Sequence, residues 1–403
     1  MLSYEDARRT VIAQAEAGRV SPPIVSIPVS DALGYVLAEE IRTDRAYPPF
    51  DRSTRDGYVV RASEAGSGKT IRCVGEIKAG DAVTEKLAPG TCVQIMTGAA
   101  VPNGADAVVM VEFTSRECDV VTFQRETHSG QNIVAKGSEA GAGETALTPG
   151  LRLGFAELAI AAQVGAAQVR CHKKPRVAIL STGDEVVPIT EIPGPFHIRT
   201  RNSVSLGAQV RLAGGEPVLV GNAGDRVEEL GAKIEQGLRE DMLVLSGGVS
   251  MGKYDLVEGV LKSMGTEFYF DAVAMRPGKP TVFGRVRNRL VFGLPGNPVS
   301  TMVTFHLFAI PAIDVLSGAK ARPLPLLQAT LAEPLNEKPG LAHFLPARLD
   351  WKGERAQVAA LKWKGSGDIA TLSRANCFLV VPSDAQDIAA GESVSVLLRG
   401  DVL

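Results

Sequence analysis

Four short loops in the middle of the chain concentrate the residues able to do chemistry: STGDE (181–185), SGGVSMGKYD (246–255), RPGKP (276–280) and LPGNPVS (294–300). Each follows a short apolar run. Glycine lets backbone approach a ligand and aim N–H groups at it, and a strand ending in such a loop beside a helix start makes an anion-binding corner. Four such corners between residues 177 and 300 point to one crevice at the edge of a parallel sheet, where open α/β sheets take ligands. Asp184, Glu185, Asp255, Arg276 and Lys279 would share it. Acids there can hold a hard metal ion, and the two cations can neutralise phosphate or oxyanion charge.

Most of the motifs also have a structural explanation. Asp184 and Glu185 could oppose a helix macrodipole, and Asp225 in GNAGDR stands where an N-cap would stand. PPFDRSTRDGY (48–58) reads as a charged surface turn, or as a proline-stiffened loop in which Gly57 frees the backbone so that Asp56 points into a site. Thr97 and Gly98 sit at a strand end before a Pro-Asn-Gly turn, a hairpin by itself. The loop SGGVSMGKYD resists such an account, because three glycines after a buried strand only loosen the unfolded chain.

Several chemistries are excluded. The glycine-rich loops hold no Walker loop ending in Gly-Lys-Ser/Thr. The five histidines are isolated, and the five cysteines are odd in number, widely spaced and without a Cys-x-x-Cys pair, against a disulfide framework or a structural zinc site. A metal here would be hard, Mg²⁺ before Zn²⁺. What remains is electrostatic catalysis on an anionic ligand, by attack at phosphorus or oxyanion exchange.

The elements that must position these loops follow from periodicity. From Pro175 strands and helices alternate: RVAILST, a helix from Asn202, PVLVGNA, a helix from Asp225, DMLVLSG, a helix near Asp255, and RLVFGLPG with a long helix from Pro298. This βαβ series predicts right-handed crossovers and a parallel sheet covered on both faces. Before it, residues 1–46 with 140–172 predict a mixed N-terminal linker domain with a first helix and a second short helix from Ser30. Residues 47–139 predict a small mostly-β domain. The α/β domain spans 173–320, and 321–403 alternates short strands without a convincing helix, as a small β-barrel or sandwich would. Lys plus Arg number 43 against 45 Asp plus Glu, so no global field attracts nucleic acid or anionic lipid. No export signal is visible, Met302 to Ile313 is too short to span a bilayer, and a reducing cytoplasm fits the cysteines.

Taken in order, PPFDRSTRDGY, IMTGAAVPNGADAVVMVE, ILSTGDEVV, LSGGVSMGKYD, MRPGKP and FGLPGNPVS resemble the molybdopterin molybdenumtransferase family, which includes the bacterial MoeA proteins and the E domain of gephyrin. GSGD (365–368) and NCFLVVP extend the likeness to the end of the chain. The resemblance implies an elongated homodimer of four-domain subunits, with a central three-layer α/β molybdopterin-binding domain and a C-terminal β-barrel. It implies that adenylylated molybdopterin and molybdate give molybdenum cofactor and AMP, with Mg²⁺. A molybdopterin adenylyltransferase is the implied donor upstream, and molybdoenzymes or their chaperones are the recipients. Carried over by motif, Asp56, Thr97, Glu185, Asp225, Asp255 and Lys279 form the catalytic set, with Asp225 and Asp255 on the metal. Thr182 and Gly183, then Ser246, Gly247, Gly248 and Ser250, then Pro280, Gly296, Asn297 and Pro298 would bind substrate. Arg276, Lys279, Ser300 and Ser366 would face the oxyanion.

This chain departs from the family pattern where positive charge is expected. Val134 replaces an arginine, Ser138 and Glu139 replace a Glu-Asp pair, and Leu341 and Pro346 stand at two further arginine positions, while Arg52 and Arg55 are added. Lys136 and Arg348, each two residues on, would share a face with a vacated position in an extended strand. The expected outcome is a relocated set of cations with the reaction retained. The alternatives are a non-catalytic molybdopterin-binding paralogue serving as carrier, regulator or scaffold, and, by fold analogy alone, a nucleotide-handling enzyme.

Overall fold

The computed structural model describes residues 1–18, 20–248 and 256–402. The middle segment forms a six-stranded sheet in the order Glu216–Ala223, Arg176–Thr182, Met242–Ser246, Arg289–Leu294, Val282–Val286 and Glu267–Phe270. Its apolar runs are nearly continuous because both faces are buried. Val177, Ile179, Met242 and Val244 face one core, while Ala178, Leu180, Leu243 and Leu245 face the other.

Seven helices matter to the argument: α1 (Tyr4–Ala17), α2 (Phe155–Gln163), α3 (Asn202–Ala213), α4 (Val227–Gly237), α5 (Leu256–Ser263), α6 (Pro298–Leu316) and α7 (Ile369–Arg374). The first core takes in α3 and α6, and the second takes in Leu230 and Ile234 of α4 with Val257, Val260 and Leu261 of α5. Helix α1 was expected to belong to the linker region. Instead Ala7, Val11 and Ala15 bury into the first core, and Tyr4 packs edge-on against Phe344 with ring centroids 5.1 Å apart. Around Ser30 there is a single 3-10 turn, Val29–Asp31, and no second helix.

The sheet is not wholly parallel. Val282–Val286 runs antiparallel to both neighbours. Only Arg287 and Asn288 join it to the next strand, both at positive φ (48° and 67°), and a two-residue connection can make a hairpin but no crossover.

Helix α6 spans 19 residues, longer than the segment 302–313 suggested. By length and composition it could cross a membrane, yet 78% of its apolar window is buried inside the protein, as in a core helix. Pro311 lies within it and has no N–H for the carbonyl four residues back. The helix widens to a π turn over Phe305–Ala309, and the Leu307 carbonyl accepts from Arg8 Nη1 at 2.8 Å. Near its end Asp314, 1% exposed, meets Arg152 Nη2 at 3.1 Å and Arg322 Nη2 at 2.5 Å. Arg322 N–H donates to the same carboxylate at 3.0 Å, and Arg8 Nη2 donates to the Arg322 carbonyl at 2.6 Å. This junction ties α1, the segment after residue 140, α6 and the start of the C-terminal region together.

Residues 57–123 supply a second six-stranded sheet, ordered Ala107–Met110, Gly57–Val60, Thr91–Ile95, Thr70–Ile77, Val120–Phe123 and Thr114–Glu117. In the C-terminal region Ala342–Lys352 pairs with Arg355–Ala360 on one side and Cys377–Val381 on the other. Leu326–Leu331 and Ser393–Leu398 complete the ring, closing a five-stranded barrel that leaves no free edge. The short helix α7, absent from the sequence reading, follows GSGD, where Asp368 caps it by accepting from Thr371 N–H at 3.1 Å. The five cysteines are free, and burial pushes the Cys92 and Cys377 thiols up to about 12, far from a reactive thiolate.

Candidate functional site

Three strand ends of the central sheet meet around a hollow of about 450 Å³. Strand Arg176–Thr182 runs into Gly183, strand Met242–Ser246 into Gly247 and Gly248, and strand Arg289–Leu294 into Pro295, Gly296 and Asn297. Gly247 has φ 101°, and a Cβ there would lie 2.7 Å from Thr182 Oγ1 and 2.9 Å from the Thr182 carbonyl. Gly183 has φ 122°, and its Cβ would collide with the Glu185 carboxylate. Glycine is thus required at 247, where one loop presses on the next, and at 183 by its positive φ.

Asn202, at the start of α3, fastens these loops. Its Nδ2 donates to Ser246 Oγ at 2.8 Å and to the Gly296 carbonyl at 2.7 Å. Among the described residues its Oδ1 is buried without a partner, as are Ser181 Oγ and Thr182 Oγ1. All three residues line the hollow. Buried polar groups are nearly always satisfied, so three unpaired in one concavity mark a place where a ligand supplies the partners.

Of the expected residues, Thr182, Gly183, Glu185, Asp225, Ser246, Gly247, Gly248, Pro280, Gly296 and Asn297 line the hollow together. Asp225 does not cap α4; Arg226 holds that position without a side-chain cap bond. Its N–H instead donates to Asp184 Oδ1 at 3.0 Å, and burial, with the charges of Asp184 and Glu185, raises its carboxyl above the ordinary range. The described residues contain no group of three or more metal-ligating side chains. Glu185 and Asp225 therefore offer a pair of hard oxygen ligands, which suits an ion that completes its shell with water and substrate phosphate. Ser250 and Asp255 lie outside the described residues.

Other expected residues stand elsewhere. Arg276 and Lys279 are exposed on RPGKP, and of that loop only Pro280 borders the hollow. Pro298 and Ser300 are buried in the first turn of α6, Ser300 4% exposed, and neither reaches it. Ser366 acts through its backbone: its carbonyl accepts the Val299 N–H at 3.0 Å, satisfying a donor that a helix start leaves free. Asp56 and Thr97 meet each other but do not line the hollow, with Asp56 Oδ1 accepting from Thr97 N–H at 2.7 Å and Oγ1 at 3.0 Å. Those bonds hold the Asp56 carboxyl below its ordinary value. Gly57 is needed for a different reason from the one inferred, since a Cβ would strike the Val109 carbonyl of the adjacent strand.

The cations expected to replace the vacated arginines stand outside the hollow. Arg52 is the direct cross-strand partner of Val134, and its Nη2 pairs with Glu139 Oε1 at 3.0 Å, so a guanidinium stands beside the vacated position. Arg348 lies opposite Ala359 with Nε 3.4 Å from Asp350 Oδ1. None of Arg52, Arg55, Lys136 or Arg348 lines the hollow. Among the described residues its cations are Arg199 and Arg201, neither of them singled out from the sequence. The signal was HIRTRNS, two arginines around a threonine immediately before a helix.

Comparison with known proteins gives a consistent result. The family model for the MoeA N-terminal region (domain I and II) matches residues 2–165, that for a probable molybdopterin binding domain matches 178–315, and that for the MoeA C-terminal region (domain IV) matches 328–398. The molybdopterin molybdenumtransferase of Bacillus subtilis (strain 168) is 32% identical over 382 residues, covering 92% of this chain and 89% of that protein. The Staphylococcus aureus (strain COL) protein of the same name is 30% identical over 384 residues, covering 94% and 92%. Two crystal structures of molybdopterin biosynthesis MoeA protein from Pyrococcus horikoshii superpose with TM-scores of 0.80 and 0.74 at 28% and 31% identity; the first covers 99% of this chain and 100% of the other, the second 99% of each. With these relatives spanning nearly its whole length, the chain belongs to the molybdopterin molybdenumtransferase family.

Proposed function

We propose that this chain inserts molybdate into adenylylated molybdopterin, releasing AMP and molybdenum cofactor. The observation that carries the proposal is the hollow itself: glycine-shaped loops, three unpaired buried polar atoms, and acids and arginines around one space. The unpaired oxygens of Ser181, Thr182 and Asn202 suit the donor and acceptor edge of a pterin. Glu185 and Asp225 would hold Mg²⁺, with Asp255 as the further ligand that the sequence motif suggests. When bound, that ion would withdraw charge from the pyrophosphate. Asn202 keeps Ser246 and Gly296 in place, so that the loops present a fixed surface to the substrate. Arg276 and Lys279 are exposed and without ion pairs among the described residues, which leaves them available to a tetrahedral dianion at the mouth of the site. Ser300 and Ser366 support that mouth through the start of α6.

Asp56 and Thr97 are assigned a role across a homodimer, in which the small β domain of a second copy reaches the hollow. That neither residue lines the hollow of its own chain favours this arrangement. The donor is a molybdopterin adenylyltransferase, and molybdoenzymes or their chaperones receive the product, in the cytoplasm. Incubating the purified protein with adenylylated molybdopterin, Mg²⁺ and molybdate tests the proposal. AMP release with formation of active cofactor is expected; retention of intact ligand without turnover would make the chain a binding protein.

A further inference from the structure

We propose that Arg201, with Arg199 beside it, is the specificity-determining seat for the phosphate of the pterin ligand, an inference that rests on the molybdopterin reading of the hollow. Arg201 is the N-cap residue of α3: its carbonyl accepts the Ser205 N–H at 3.1 Å, and its side chain makes no cap bond. The first turn of α3 carries no acid. A cation at the positive end of a helix has the unfavourable sign, so nothing in the helix itself explains an arginine there.

Nor does a neighbouring carboxylate explain it. Glu185 and Asp225 line the same hollow, yet neither Arg199 nor Arg201 forms an ion pair among the described residues. Arg199 is held by strand pairing with Val187 and by one bond from Nε to the Glu191 carbonyl at 2.9 Å. An independent observation points to a ligand in the same place. Ser181 and Thr182, 5% and 6% exposed, line the hollow with hydroxyl oxygens that meet no partner among the described residues.

A phosphorylated ligand, its anionic end at the arginines and its polar edge at those hydroxyls, answers these features together. It would take the two guanidinium forks, use the N–H groups left free at the start of α3, and supply the negative charge that this helix end lacks. The cation that Glu185 and Asp225 would hold then meets the same phosphate, which is part of the pyrophosphate in the adenylylated substrate. The hollow would discriminate phosphorylated from unphosphorylated pterins by charge at one end and by hydroxyl and amide contacts at the other.

The test compares binding of molybdopterin and of its phosphatase-treated form, followed anaerobically by pterin fluorescence. Wild-type protein should prefer the phosphorylated form by about tenfold or more, as for bonds to a charged group. Arg201→Gln should reduce that preference to about twofold or less with binding of the dephosphorylated form unchanged, and Arg201→Lys should restore part of it. Full preference retained by Arg201→Gln would overturn the assignment, as would a wild type that binds both forms equally. A wild type that binds neither form would overturn the molybdopterin reading of the hollow together with this seat.

Discussion

The Asp314 junction and the hollow at the strand ends are both polar sites in an apolar molecule, and they differ in how their polar groups are satisfied. At the junction a carboxylate 1% exposed receives Arg152, Arg322 and a backbone N–H. In the hollow, the side-chain oxygens of Ser181, Thr182 and Asn202 are buried and have no partner among the described residues. Protein groups complete the first site, whereas the second is left for something else to complete. Conformational stability should therefore reside in the junction and activity in the hollow.

The sharpest way to break this contrast is at Asp314. Asp314→Ala leaves Arg152 and Arg322 facing each other without their carboxylate, and because their side chains are 25% and 41% exposed the cost should be about 3 kcal/mol, the lower end of the range for a buried pair. Urea unfolding should show that loss. A change below about 1 kcal/mol, the range of an exposed pair, would mean that solvent already screens the junction.

Helix α6 carries a second test of the structural side. Burial, aided by the charges of Arg8 and Arg322, lowers His306 from 6.5 to about 4. Because the folded value lies below the unfolded one, the imidazole is kept neutral in the fold, and protons bind the unfolded chain more readily. Stability should be constant above about pH 6.5, fall between there and about pH 4, and level off below, by about 3 kcal/mol in all. His306→Leu should remove that acid-dependent component from a pH series of unfolding curves. Persistence of the full slope in the variant would assign it to other groups.

On the functional side the effect is smaller and of opposite sign. The raised carboxyl of Asp225 means that the fold disfavours its ionised form, so protonation as pH falls relieves the fold, and a bound cation relieves it at neutral pH. Mg²⁺ in large excess should raise the unfolding free energy by about 1–3 kcal/mol at pH 7. The gain should begin to fade above the usual Asp value of 3.8 as pH is lowered, and Asp225→Asn should abolish it. An undiminished Mg²⁺ response in that variant would remove Asp225 from the metal site.

Much of the fold was legible because it rests on local patterns. Near-continuous apolar runs such as RVAILST and DMLVLSG declare strands buried on both faces, and the glycines after them mark the loops that now meet at the hollow. The C-terminal alternation likewise closes as a barrel. What escaped depends on tertiary partners. The apolar stripe of α1 announces a buried face without saying that the α/β core receives it. In RPGKP the sequence shows two cations, while the structure directs only Pro280 at the hollow. Arg199 and Arg201 come from the segment 188–201, whose prolines and glycines carry no strand signal until Ile198–Arg199 pairs with Val186–Val187. The Asp225 cap failed because the helix begins one residue later than the motif suggested, leaving that carboxylate to its acidic neighbours.

The account is tested most directly by Thr182→Val, comparing AMP release with unfolding free energy on one preparation. The valine removes a hydroxyl that the protein leaves unpaired, so stability should hold or rise by about 1 kcal/mol while AMP release falls by about tenfold. Unchanged AMP release with a loss of stability would show that the hydroxyl serves the fold, and the hollow would no longer be the site.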